Sequence, residues 1–93
     1  MITFNMEYEV RISKTALKRI MKAPFRVQIL LRELALDLRE KGPIRSDWPN
    51  FSALSSTTYH CHLNYSWVAC WSWEKGTVLV EVYNAGSRED APY

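Results

Sequence analysis

The chain has 93 residues, a net charge of +2, 47% hydrophobic residues and 13% aromatic residues. A chain of this length forms one small domain, residues 1–93, and no run approaches the roughly 18 apolar residues of a membrane span. The N-terminus has no signal-peptide pattern and two cysteines are too few for a disulfide framework, so we expect a cytoplasmic protein without membrane contact.

The first predicted strand spans residues 6–12, with the sequence MEYEVRI. Apolar and charged side chains alternate strictly along it, which is typical of a strand buried on one face. Its apolar side chains are Met6, Tyr8, Val10 and Ile12.

Two helices are predicted next, joined as a hairpin. Ser13 is a suitable N-cap for the first helix, in which Leu17, Ile20 and Met21 recur at helical spacing up to Pro24. The second helix begins at Pro24 and ends at Gly42 and Pro43. Its predicted apolar stripe consists of Val27, Leu30, Leu31, Leu34 and Leu38.

The first helix also carries a basic surface without any acidic residue. Its members are Lys14, Lys18, Arg19 and Lys22, flanked by Arg11 and Arg26. Such a run is common on a solvated helix face, and it also suits the phosphates of a nucleic acid.

The remaining chain predicts a loop and three strands. Residues 43–57 contain two prolines and many serines and threonines, and Trp48, Phe51 and Leu54 are expected to fix this loop to the core. The predicted strands are Thr58–Leu63, Trp67–Trp73 and Thr77–Tyr83, the last two joined by the EKG turn. The order β-α-α-β-β-β predicts an α+β fold, with the N-terminal strand in a mainly antiparallel sheet, the helical hairpin on one sheet face and the other face open.

Two histidines are predicted to project from the open face. Alternation places Tyr59, Cys61 and Leu63 toward the helices, so His60 and His62 share the opposite side, roughly 7 Å apart. On the last strand, the same reasoning sends the valines Val78, Val80 and Val82 to the core and turns Glu81 and Tyr83 toward the histidines.

The histidine pair has three interpretations. An HxH pair can chelate a metal, but Cys61 points away and further ligands at fixed spacing are missing. The two side chains could be ordinary hydrogen-bonded surface groups. They could also exchange protons during RNA cleavage, because imidazole titrates near neutral pH.

A resemblance to a known family bears on this choice. The motifs are the run Tyr59–Leu63 (YHCHL), the run Trp67–Cys70 (WVAC), and a tail in which Gly86 and Arg88 precede Tyr93. In this order and spacing they resemble the RelE/ParE superfamily of bacterial toxin-antitoxin toxins, over nearly the whole chain.

The resemblance implies a ribosome-dependent endoribonuclease that cleaves mRNA without a metal or cofactor and is neutralised by a cognate antitoxin. It implies catalytic roles for His60 and His62, which stand where relatives often have lysines, for Arg88 at the scissile phosphate, and for Tyr93 near the reacting nucleotide. It also implies contacts between ribosomal RNA and the basic surface formed by Lys14, Lys18, Arg19 and Lys22.

Trp67 stands where many relatives have an arginine, so Arg88 is the obvious permanent cation of the cleft. Trp67 or Trp71 could stack on an RNA base, although strands favour aromatic residues for packing as well. Two other functions stay open: a ParE-like inhibitor of DNA gyrase, and a catalytically silent module that binds the antitoxin.

Overall fold

The computed structural model describes residues 7–93. They form a five-stranded sheet in the order β1-β5-β4-β3-β2, in which β1 is parallel to β5 and the other neighbours are antiparallel. The elements are β1 (Glu9–Ile12), α1 (Lys14–Met21), α2 (Phe25–Lys41), β2 (Ser52–Ala53), β3 (Thr58–His62), β4 (Trp67–Trp73), β5 (Leu79–Ser87) and a 3₁₀ turn (Arg88–Asp90). The predicted α+β fold is confirmed; Met6 of the predicted first strand lies outside the described residues.

The helical hairpin begins after Ser13 and ends at Gly42, as the predicted capping residues indicated. The Ser13 side chain accepts a hydrogen bond from the Ala16 backbone N–H, and Gly42 ends α2 with φ 93°. No helix within residues 7–93 is long and apolar enough to cross a membrane.

The predicted core face of α1 is wrong in part. Leu17 and Met21 are 42% and 73% exposed, whereas Ala16 and Ile20 are buried. Ala16 has a small side chain, which lets the helix lie close against the sheet, and Leu17 and Met21 are thereby left on its outer side.

The core lies between the helices and one face of the sheet. It contains Val27, Leu31, Leu34 and Leu38 of α2, Tyr59 and Cys61 of β3, Ala69 and Trp71 of β4, and Val80, Val82 and Ala85 of β5. Phe51 stacks on Tyr59 and Trp71, with ring centroids 6.0 Å away in both cases, so it fixes the long loop to the core as predicted.

A β-bulge in β5 reshapes the open face. Trp71 pairs with Val82 and Cys70 pairs with Asn84, which leaves Tyr83 as an extra residue. Asn84 donates from Nδ2 to the Cys70 sulfur over 3.9 Å, and the Tyr83 side chain lies close to the same thiol. The bulge therefore directs two consecutive β5 side chains toward the open face. Val78 precedes β5 and is 45% exposed, so its predicted place in the core is wrong.

Candidate functional site

The two histidines share the open face, as alternation predicted. Tyr59, Cys61 and Leu63 are buried with the core, and the intervening His60 and His62 have ring centroids 6.0 Å apart. His60 is only 8% exposed, while His62 is half-buried. The two imidazoles can therefore act on one ligand from different environments.

Two contacts fix the position of His60. The Ser52 hydroxyl lies 3.0 Å from Nδ1 of His60, and the Tyr93 ring centroid lies 4.5 Å from that of the imidazole. Because Ser52 occupies Nδ1, the other ring nitrogen, Nε2, is the one left to exchange a proton with a ligand. The C-terminal tyrosine thus returns to the open face.

The surroundings of His62 favour its neutral form. Burial lowers the pKa of His62 below its ordinary value of 6.5, and the nearby His60 and Arg88 side chains lower it further. A neutral imidazole at pH 7 can accept a proton.

Arg88 lies beside a shallow groove at the end of β5. Its backbone N–H donates to the Ser66 carbonyl over 2.7 Å, and its guanidinium carbon lies 5.3 Å from the centroid of the exposed Tyr65 ring. The groove has a volume of about 380 Å³ and is lined by Tyr65, Ser66, Ser87, Arg88 and Glu89. Within residues 7–93, no carboxylate forms an ion pair with Arg88. Its cation is available to an anionic ligand.

Tyr93 remains protonated at neutral pH. Burial raises the pKa of Tyr93 above its ordinary value of 10, although the Arg88 charge acts in the opposite direction. The side chain is nevertheless 53% exposed, so part of the ring is open to a ligand that approaches the histidines.

The tryptophans do not belong to this face. Trp71 has no exposed surface, and its indole N–H donates to the Pro43 carbonyl over 3.0 Å. Trp67 alternates with it in register along β4 and packs against the core from the helix side. The expectation that Trp71 stacks on RNA is therefore wrong, and Trp67 is not among the side chains around the histidines.

The two cysteines are poor candidates for metal ligands. Burial raises the pKa of Cys61 to about 12 and that of Cys70 to about 11, so both thiols are protonated at neutral pH. The part of the chain that the structure describes holds no group of three or more histidine, cysteine or acidic side chains able to bind one ion. A metal ligand or nucleophile would require the thiolate form.

The predicted basic surface divides into two parts. Lys14, Lys18 and Lys22 are exposed, and no ion pair joins them to an acid between residues 7 and 93. Arg19 instead donates from Nη1 to Oδ1 of Asn84 on β5, over 2.9 Å.

Sequence reasoning did not identify Ser52, Tyr65 or Asn84. Ser52 belongs to a two-residue edge strand inside an apparent loop, and Asn84 owes its orientation to the bulge. Tyr65 gave the clearest available signal, since it is an aromatic residue in the polar turn between β3 and β4, and it is 81% exposed.

Comparison with known proteins relates the fold to solved structures. No model of a protein family and no curated protein matches the sequence. An archaeal RelE–RelB complex from Pyrococcus horikoshii is 17% identical with a TM-score of 0.73, covering 92% of this chain and 100% of that chain. The DinJ–YafQ toxin-antitoxin complex of Escherichia coli is 13% identical with a TM-score of 0.74, covering 94% and 99%. A double mutant of E. coli toxin RelE in the free state is 21% identical with a TM-score of 0.70, covering 92% and 88%. The chain therefore has the fold of RelE-like toxins.

Proposed function

We propose that this chain, which has the RelE-like fold, is the toxin of a type II toxin-antitoxin system and cleaves mRNA on the ribosome. The observation that carries the proposal is the approach of His60, His62, Arg88 and Tyr93 to one end of the open sheet face. These residues come from β3 and from the chain beyond β5. They supply two imidazoles, one permanent cation and one aromatic hydroxyl.

The proposed reaction is attack of an RNA 2′-hydroxyl on the adjacent phosphate. His62, which is biased toward the neutral form, accepts the 2′-hydroxyl proton as the new P–O bond forms. His60, held at Nδ1 by Ser52, donates a proton from Nε2 to the 5′-oxygen as its bond to phosphorus breaks. The products are a 2′,3′-cyclic phosphate and a 5′-hydroxyl, so the protons and the leaving group balance without a metal.

Arg88 has the chemistry to stabilise the transition state. A guanidinium can donate two charge-assisted hydrogen bonds to a phosphate whose negative charge grows during attack. Tyr93 lies against His60 and can contact the sugar or base of the reacting nucleotide through its exposed ring.

The rest of the surface favours a macromolecular assembly. The three exposed lysines of α1 and its C-cap match the phosphates of ribosomal RNA. Ribosome binding would supply the affinity for RNA that a net charge of +2 does not provide. The archaeal RelE structure contains RelB and the YafQ structure contains DinJ, so a cognate antitoxin is the partner expected for this chain.

Primer extension on translating ribosomes tests the proposal. A defined message is translated with the purified protein present, and new 5′ ends are mapped. Cuts should appear in the ribosomal A site and should be absent from the same message without ribosomes. Arg88→Ala should lower the single-turnover rate by about 100- to 1,000-fold, because it removes a preorganised donor to the phosphate.

Arg32→Ala is the matched control, since Arg32 is exposed on α2, away from the site. Circular dichroism should show that both variants keep the parent fold. Cleavage at the parent rate by a folded Arg88→Ala protein contradicts the assigned role, and the absence of cuts by the parent contradicts the function.

A further inference from the structure

Arg19 differs from the rest of the basic α1 surface. Lys14, Lys18 and Lys22 extend into solvent, whereas the Arg19 guanidinium is held by Oδ1 of Asn84 on β5. The contact joins residues 65 positions apart in sequence. It brings a cation from the helix to the edge of the sheet.

Asn84 is oriented by a second contact. Its side chain is buried, with only 5% of the residue exposed, and its Nδ2 donates to the Cys70 sulfur over 3.9 Å. With Nδ2 directed at the thiol, Oδ1 faces the guanidinium. In the sheet register His60 pairs with Cys70, and Cys70 pairs with Asn84. These three residues therefore form a row across β3, β4 and β5 that ends at the Asn84 contact with Arg19.

The arginine stem packs over Gly86. A Cβ atom at position 86 would lie 3.4 Å from Cδ and 4.0 Å from Cβ of Arg19, so this side chain runs directly over the glycine backbone. Gly86 pairs with Val68, and Val68 pairs with His62. Arg19 therefore lies at the β5 end of two cross-strand rows, one that begins at His60 and one that begins at His62.

The guanidinium keeps most of its donors for a ligand. One of its five N–H groups is given to Asn84, and between residues 7 and 93 no carboxylate lies within ion-pair distance. β5 and β3 are two strand spacings apart, about 10 Å. Because the Asn84 contact holds the Arg19 guanidinium at β5, we expect Arg19 to reach a different phosphate from the one beside His60.

We propose that Arg19 binds the RNA phosphate next to the scissile one, with Asn84 as its positioning residue. The inference rests on the proposed function for the identity of the ligand. It assigns a second permanent cation to the cleft, supplied by α1 rather than by β4. A message crossing the open face then meets Arg88 near the histidines and Arg19 at the β5 edge.

RNA binding by the isolated protein tests this site without any need for cleavage. The probe is a short fluorescent single-stranded oligoribonucleotide with 2′-O-methyl groups, which cannot undergo 2′-hydroxyl attack. Affinity is measured by anisotropy over a series of salt concentrations. Arg19→Ala should weaken binding by about tenfold or more, as expected for loss of a charge-assisted contact. It should also reduce the slope of log K against log salt by about 0.7, the value for one phosphate on a single strand.

Two further variants separate this site from a general charge effect. Arg32→Ala removes the same charge from the exposed face of α2 and should bind like the parent. Asn84→Asp places a carboxylate against the guanidinium, which should compete with phosphate and weaken binding toward the Arg19→Ala value.

The outcomes distinguish this inference from the proposed function. Parent-like affinity and slope for folded Arg19→Ala overturn the inference, as does equal weakening by Arg32→Ala or a parent that binds no RNA at low salt. If binding depends on Arg19 but the parent cuts no message on ribosomes, the phosphate site is supported and the nuclease function fails.

Discussion

His60 and His62 lie on one strand face, yet their surroundings suit them to opposite proton transfers. His60 is covered by Tyr93 and held by Ser52, which restricts both its position and the nitrogen it can use. His62 is more open and has its neutral form favoured by burial and by neighbouring positive charge. Paired groups in different environments are what acid and base roles in a single reaction require.

Replacement of either histidine tests these roles. His60→Ala and His62→Ala should each lower ribosome-dependent cleavage by about 100- to 10,000-fold, the usual range for a lost acid or base. Lysine at either position should retain more activity than alanine, since its amine is a proton donor at position 60 and, in its neutral form, a proton acceptor at position 62. Ser72→Ala, a change on the neighbouring β4 strand, is the control, and parent-like rates in both folded alanine variants would remove the histidines from the mechanism.

The Arg88 charge should be visible in the titration of His62. Its removal in Arg88→Ala takes away one of the three influences that lower the pKa of His62, so this pKa should rise toward 6.5. Because the base works in its neutral form, the rate should increase with pH through this pKa, and the midpoint should move to higher pH in the variant. NMR titration of the imidazole protons of free protein measures the shift, and Arg88→Lys should preserve the parent value. An unchanged His62 titration in Arg88→Ala would show that the two groups do not interact.

At the scale of elements, alternation and capping residues correctly predicted the features that depend on the sequence of one helix or strand alone. Ser13, Gly42 and the outward histidines of β3 follow from local rules. The face on which Trp71 lies depends on the register between β3 and β4, which the intervening turn sets and which periodicity within one strand does not reveal. The bulge at Tyr83 and the return of Tyr93 to His60 likewise depend on contacts between distant segments.

Gly42 shows how one element end depends on another segment. It has φ 93° and ψ −177°, a conformation that is essentially restricted to glycine, and a Cβ atom there would lie 2.9 Å from Cε1 of Tyr8. Gly42→Ala should destabilise the protein by more than the roughly 1–3 kcal/mol of backbone strain, because the Tyr8 ring must also move.

Gly76→Ala is the matched control for this change. Gly76 also has positive φ, 89°, but a Cβ atom there would meet nothing within 4 Å. Urea denaturation of both variants should therefore give a larger loss for Gly42→Ala, and equal losses would show that the Tyr8 contact costs nothing.

At the scale of the whole molecule, the topology places the stabilising core on one face of the sheet and the proposed ligand-binding residues on the other. The helices cover one sheet face with the core, while β3, β4, β5 and the C-terminal residues build the other. Arg88 and Arg19 supply positive charge at two places on that side, and the three exposed lysines of α1 and its C-cap offer a separate surface. This division suits the proposed simultaneous contact with message and ribosome.

That division predicts the order of events when the protein is expressed without an antitoxin. Because the proposed ligand is mRNA within the ribosome, protein synthesis should fall first, and DNA synthesis should fall later as protein supply fails. Pulse labelling with an amino acid and with thymidine in the same culture measures both rates. Arg88→Ala at equal expression should delay both declines, and Arg32→Ala should reproduce the parent. An initial collapse of DNA synthesis with gyrase-linked breaks would instead identify a ParE-like gyrase inhibitor, for which the histidines would have no proton-transfer role.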